Sequence, residues 1–210
     1  MSQALDPTLL LLFIPTFFVV SVTPGMCMTL SMSLGMAIGV RRTIWMMYGE
    51  LLGVGLVATA AVVGVATMML RYPLVFELFK YLGGAYLCYL GIQMWLSRGK
   101  MAIDLEAPRQ REASPRSLAV QGFVTAVANP KGWAFFISLL PPFVSDQQPL
   151  MPQLSLLLGL ILLIEFSCLL LYASGGRTLS LFLQQRGNVR LINRLAGSLM
   201  MAVGFWLALG

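Results

Sequence analysis

FFVVSVTPGMCMTLSM, residues 17–32, and GFVTAVANPKGWAFF, residues 122–136, decide how this chain folds. Each is an apolar run interrupted near its middle by proline and glycine, at Thr23-Pro24-Gly25 and at Asn129-Pro130-Lys131-Gly132. Proline removes a backbone donor and glycine next to it permits an unwound turn, so each run predicts a helix broken in two. The breaks occupy corresponding places in the two halves of the chain, and matched broken helices point to a binding site at the middle of a membrane. The bland alternative is a pair of packing kinks whose freed backbone groups are satisfied by neighbours.

Around these two runs lie four more apolar stretches. The six predicted spans are 8–36, 43–70, 74–97, 117–140, 152–175 and 190–209, each supplying the roughly 20 apolar residues that a crossing helix needs. Of the 210 residues 58% are hydrophobic and only 10% charged, too few charges to cover a soluble protein of this size, so the lipid bilayer is the solvent for most of the surface. Arg41-Arg42 fills the first gap and Tyr72-Pro73 the second, Pro141-Pro142 and Pro149 mark a turn, and Gly175-Gly176 is expected to end the fifth span. The first span lacks a basic leader and a small-residue cleavage site and is expected to be retained.

The placement of charge fixes an orientation. Alternate loops hold 11 of the 14 basic residues, among them Arg41, Arg42, Arg98, Arg109, Arg177 and Arg194, and Lys131 falls inside a span. By the positive-inside rule those loops face the cytoplasm and both termini lie outside. The net charge of +6 is therefore topological, and without a basic face interleaved with aromatics it does not point to nucleic acid.

The last span of each half supports an internal repeat. LGGAYLCYLGIQMWL, residues 82–96, aligns without gaps to LAGSLMMAVGFWLAL, residues 195–209, bringing Gly84 and Gly91 onto Gly197 and Gly204. Three spans per copy is an odd number, so the second copy enters the membrane upside down. The predicted organisation is an all-α integral membrane protein of two inverted three-helix repeats, 1–97 and 117–210, joined by a solvated cytoplasmic linker at 98–116. Gly35-xxx-Gly39 and Gly49-xxx-Gly53 are small-residue faces that allow close helix contact.

Three ionisable residues fall deep in the spans: Glu50, Lys131 and Glu165. At roughly 1.5 Å per residue Glu50 lies about 11 Å from the cytoplasmic end of its span and Glu165 about 20 Å from the outer end of its own. A charge there costs at least ~2.5–3.5 kcal/mol on insertion scales, so such residues face a cavity, pair with one another, or carry ions. Glu50 and Glu165 are candidates for proton coupling and for meeting a cationic group; the alternative is a fixed ion pair of Lys131 with one glutamate. Freed N–H groups around Gly25, Met26 and Cys27 favour an anionic group through the helix dipole, and Asn129 and Lys131 offer the same on the matched side. Donors on one side and carboxylates on the other suit a zwitterion, the charge pattern of an amino acid.

What the chain lacks excludes other chemistry. There is no histidine, and the three cysteines stand singly inside apolar segments, so neither a zinc site, a disulfide framework nor a Ser/His or Cys/His catalytic arrangement is expected. No cofactor, no resident metal and no enzymatic activity are expected. Met28, Met32 and Met36 could bind Cu(I) as soft ligands, but such a stripe is more often flexible packing. The sequence leaves homodimerisation open, and a channel is hard to tell from a carrier at this level.

The TPG of the first span, YLGGAYLCYLGIQMW at 81–95, the NPK of the fourth span followed by aromatics, and the fifth-span glutamate together resemble the lysine exporter superfamily. Within it the chain is most similar to the homoserine/threonine-resistance branch of amino-acid exporters, which includes leucine exporters, and the resemblance covers nearly the whole chain. It implies six-helix secondary transport of a small neutral amino acid, such as leucine, threonine or homoserine, out of the bacterial cytoplasm across the inner membrane. The driving force it implies is a proton or membrane-potential gradient, with alternating access. Carried over by position, Thr23, Pro24 and Gly25 match the first motif, Asn129, Pro130 and Lys131 the second, and Glu165 the fifth-span acid; with Met26 these are the expected substrate and proton residues. The chain departs from the family at Met26, where a second proline is usual, and at Val54, where many relatives carry Asp. Glu50 lies one turn before Val54 on the same face. The wider superfamily also contains inorganic-ion exporters, which remain the competing reading.

Overall fold

The computed structural model describes residues 7–71, 73–96, 113–140, 143, 149–184 and 186–209, and among them the chain forms eight helices and no strand. In chain order these are α1 (Pro7–Val22), α2 (Met26–Ile38), α3 (Val40–Arg71), α4 (Pro73–Leu96), α5 (Pro115–Val127), α6 (Pro130–Leu139), α7 (Leu150–Gln184) and α8 (Arg186–Leu209). The first apolar stretch is thus α1 plus α2, and the fourth is α5 plus α6, each divided where its proline falls. Two helices are long and apolar enough to cross a membrane, over Val40–Gly64 and Met151–Gly176, and the pair Phe13–Val22 and Met26–Ile38 forms a third candidate bent by 56° at the break. The chain is a multi-pass membrane protein. Nearly all of the linker at 98–116 lies outside the described residues.

The membrane-length apolar segment of α7 ends at Gly176, where the fifth span was expected to end, and the helix continues beyond it to Gln184. The chain kinks at that point: Gly176 has φ 40°, ψ −121°, a conformation that only glycine adopts without strain.

Glycines set the helix contacts. A methyl group added at Gly49 would overlap the backbone carbonyl of Ala119, and one at Gly122 would overlap that of Met46, so α3 and α5 touch main chain to main chain. Gly53 meets Phe123 and Ala126 further along, so residue numbers rise together on both helices and α3 runs parallel to α5. On the other side α2 lies parallel to α7: Gly35 abuts the backbone of Ala173, and the Ser31 hydroxyl donates to Leu169 O at 2.8 Å. Between α4 and α8 the sense is opposite. Gly91 meets Gly197 and Gly84 meets Gly204, while Trp95 Nε1 donates to Ser198 Oγ at 2.8 Å and the Arg194 guanidinium lies 4.7 Å from the Trp95 ring centre.

Gly39 does not share this role. No atom lies within 4 Å of a Cβ built on it, and its φ of 78° makes it the turn that closes α2 before α3. The methionine stripe is packing: Met28 and Met32 are 2% and 0% exposed in the core. Apolar side chains such as Leu11, Leu52, Leu163 and Phe205 cover the outside, as a lipid-facing surface requires.

Candidate functional site

The two breaks meet. α1 ends at Val22, and the Thr23 hydroxyl folds back to Val19 O at 2.6 Å, taking one of the carbonyls that a helix C-terminus leaves without a partner. Val22 O accepts from the Tyr172 hydroxyl at 2.8 Å, and Val20 O from Lys131 Nζ at 3.1 Å. Gly25, extended at φ −141°, ψ −173°, precedes α2 with no side chain capping the first turn, so N–H groups of that turn are open to an acceptor.

The second break is finished differently. Asn129 caps α6: its side-chain oxygen accepts from Lys131 N at 3.1 Å, with Pro130 in the first turn where a missing N–H costs nothing. The Asn129 carboxamide nitrogen points across to Cys27 Sγ at 3.7 Å. The two helix starts, alike in sequence, therefore differ: α6 supplies its own cap and α2 does not. Asn129→Ala is expected to cost about 1 kcal/mol, the usual value of such a cap. The check is a thermal melt of the purified protein with Asn129→Asp alongside, which keeps the acceptor and should lose little.

Between the breaks lies a cavity of about 60 Å³, room for roughly four to six waters at the usual 10–15 Å³ each. Its polar lining comprises Ser21, Thr23, Cys27, Glu50, Asn129, Lys131 and Glu165, drawn from both halves of the chain. Phe17, Phe135 and Phe136 form an apolar wall, and Phe17 stacks on Phe13 at 5.7 Å, whose ring meets Phe143 edge-on at 5.1 Å. These five rings seal one flank of the cavity.

The carboxylates are held unlike each other. Glu165 accepts a hydrogen bond from the Ser21 hydroxyl. Glu50 is 0% exposed and neither of its oxygens has a hydrogen-bond partner. A buried carboxylate without donors is expensive, and a cation or proton must meet it. Lys131 spends its ammonium on a backbone carbonyl, so the ion pair held open as the alternative is not the contact that positions it.

Of the residues singled out from the sequence, Thr23, Gly25, Glu50, Asn129, Lys131 and Glu165 line this cavity together. Met26 does not; its side chain is 49% exposed and the neighbouring Met28 points inward instead. Pro24 and Pro130 shape the breaks without lining the space. Val54 lines it one turn after Glu50. Sequence reasoning missed Ser21, Phe17, Phe135, Phe136 and Tyr172. Ser21 had a signal, as the one polar residue in the run 17–22. Among the described residues no group of three or more Cys, Asp and Glu could hold a metal ion.

A family model described as LysE type translocator matches residues 18–210. The homoserine/homoserine lactone efflux protein of Salmonella typhimurium is 30% identical over 196 residues, covering 93% of this chain and 94% of the relative. A leucine efflux protein of Klebsiella pneumoniae is 31% identical over 115 residues, 52% of this chain and 51% of that one. An uncharacterized membrane protein of Vibrio cholerae is 26% identical over 198 residues, 94% of this chain and 95% of the relative. No solved structure matches the chain.

Proposed function

We propose, for a chain that belongs to the LysE type translocator family, that it exports a small neutral amino acid from the bacterial cytoplasm across the inner membrane by proton antiport with alternating access. The observation that carries the reading is a cavity whose lining joins an uncapped helix start to two carboxylates, a half-buried Glu165 and a fully buried Glu50 that has no donor. The efflux of homoserine and leucine named for its relatives supports the substrate class. In this reading the chain is a carrier, not an enzyme, and both termini face away from the cytoplasm.

The substrate carboxylate sits at the open first turn of α2, where main-chain N–H groups and the helix dipole favour an anion. The substrate ammonium approaches Glu50 and Glu165 and supplies the cation that Glu50 lacks. After release a proton takes the ammonium's place, which lets the empty carrier return without two bare carboxylates in a low-dielectric space. The phenyl wall of Phe17, Phe135 and Phe136 belongs to the moving part, since it is built from both broken helices. The parallel pairs α2–α7 and α3–α5 and the antiparallel pair α4–α8 support the two inverted repeats: exchanging the halves carries the Gly84–Gly204 contact onto Gly197–Gly91.

Everted membrane vesicles with an imposed proton gradient test this. Addition of homoserine, threonine or leucine is expected to release protons from the vesicles, read by a pH dye, for one or a few of them. Glu165→Gln should abolish the response; a variant that exports with unchanged pH dependence overturns the role of Glu165. Silence toward every amino acid in folded protein overturns the antiport itself.

A further inference from the structure

Lys131 sits in an unusual place for a lysine inside a membrane. Its ammonium does not snorkel outward; it rests 3.1 Å from Val20 O, at the C-terminal end of a half-helix. Two carbonyls at this end are met by neutral hydroxyls, Val19 O by Thr23 and Val22 O by Tyr172. Val20 O, which also accepts from Thr23 N at 3.3 Å, is met by a charge. The Ser21 hydroxyl and the Glu165 carboxylate line the same cavity and are joined to each other. Carbonyl oxygen, hydroxyl and carboxylate lining one cavity at the C-terminal end of a half-helix are the kinds of oxygen donor that a hard monovalent cation takes in a broken-helix carrier; of the three, Val20 O is the one within hydrogen-bond distance of the ammonium.

We propose that Lys131 is a tethered cation: its ammonium occupies a monovalent-cation site at the end of α1 and makes the protein independent of sodium there. The tether comes from α6, in the other half of the chain, so the cation also ties one broken helix to the other. A tethered cation cannot be exchanged between the two sides of a membrane. No ion gradient can then be used through this site, and any coupling ion must act at the carboxylates.

The proposal predicts what happens when the tether is cut. Lys131→Ala deletes Cγ, Cδ, Cε and Nζ, the heavy atoms of propylamine, and leaves the oxygens in place. Lys131→Met keeps an unbranched chain one heavy atom shorter, with no charge. The test is thermal melting of the full-length purified wild type and both variants in n-propylammonium chloride, sodium chloride and choline chloride at equal ionic strength. Wild type and Lys131→Met should melt alike in all three salts. Lys131→Ala should melt lower than wild type in choline and recover by about 3–6 °C, saturably, in propylammonium or sodium. Lys131→Thr, smaller than lysine and carrying one more hydroxyl, provides the same measurement if the alanine variant does not survive purification; it should respond to sodium.

A flat response in the small-residue variants overturns the proposal, and so does an equal rise in Lys131→Met, which would be a general salt effect. Neither substrate nor proton enters this measurement. Failure of amino-acid export in vesicles and failure of the cation site are therefore separate results.

Discussion

Glu50→Leu is expected to abolish export and to raise the melting temperature of the protein. The side chain is fully buried and both carboxyl oxygens are without a donor, so the resting fold carries a polar group that nothing in it satisfies. A buried polar group left without a partner costs about 1–3 kcal/mol, which an apolar side chain of similar size removes. For a chain of this length each kcal/mol moves the melting temperature by about 2–4 °C. Transport moves the other way, because the substrate ammonium and the returning proton lose the group that receives them; at least a hundredfold loss of efflux is expected. Glu50→Gln, closer in shape, should lose transport equally while gaining less stability. A melt on purified protein beside a vesicle efflux assay decides it. A leucine variant that melts much lower would show that the carboxyl holds the fold together, and one that still exports would remove Glu50 from the cycle.

Gly49→Ala is expected to cost about 3 kcal/mol or more, one methyl group against the whole α3–α5 contact. The added Cβ would overlap the main-chain carbonyl of Ala119, and no rotamer change can relieve a clash with backbone. The helices must separate. That shift also displaces Glu50, the next residue, whose own N–H lies 2.9 Å from a Cβ built at Gly122. Gly159→Ala and Gly64→Ala are the controls. Nothing lies within 4 Å of a Cβ at either position, so both should be neutral or stabilising by up to ~1 kcal/mol through helix propensity. Folded yield by size-exclusion chromatography and the melting temperature separate the outcomes; a Gly49→Ala protein that melts with the controls would show that the helices are not so close.

What the sequence made legible follows from the range of the forces involved. Apolar length and proline are local, so the positions of the helices and both breaks could be read, and the helix starts at Val40, Pro73 and Pro115 fall within a few residues of the expected ones. Buried charge is costly wherever it occurs, so Glu50, Lys131 and Glu165 announced themselves before any contact was known. Gly175-Gly176 was legible as the end of the fifth apolar span, and the kink at Gly176 lies there, although helix resumes beyond it to Gln184. Met26 was singled out for its main-chain N–H at the start of α2; helix phase turns its side chain outward.

Contacts across the chain were the illegible part. That Tyr172 would reach Val22 O, that Ser21 would hold Glu165, and that Asn129 would spend its side chain on its own helix all depend on how helices are registered. Small residues such as Gly49 hinted at close approach without naming a partner. The difference between the two helix starts was hidden for the same reason, since only the cap geometry distinguishes them.

The glycine seam between α4 and α8 also sets the order of biogenesis. Trp95 and Ser198, hydrogen-bonded across that seam, are 103 residues apart in the chain. Until the ribosome has delivered α8, the glycine face of α4 has no partner and waits in the bilayer with its backbone close to lipid. The first half of the molecule is thus committed to the membrane before it can be finished. In a cell, the interval between the emergence of α4 and the arrival of α8 is when the nascent chain is open to quality-control proteases, and substitutions at Gly84 or Gly91 should leave it open after α8 has arrived.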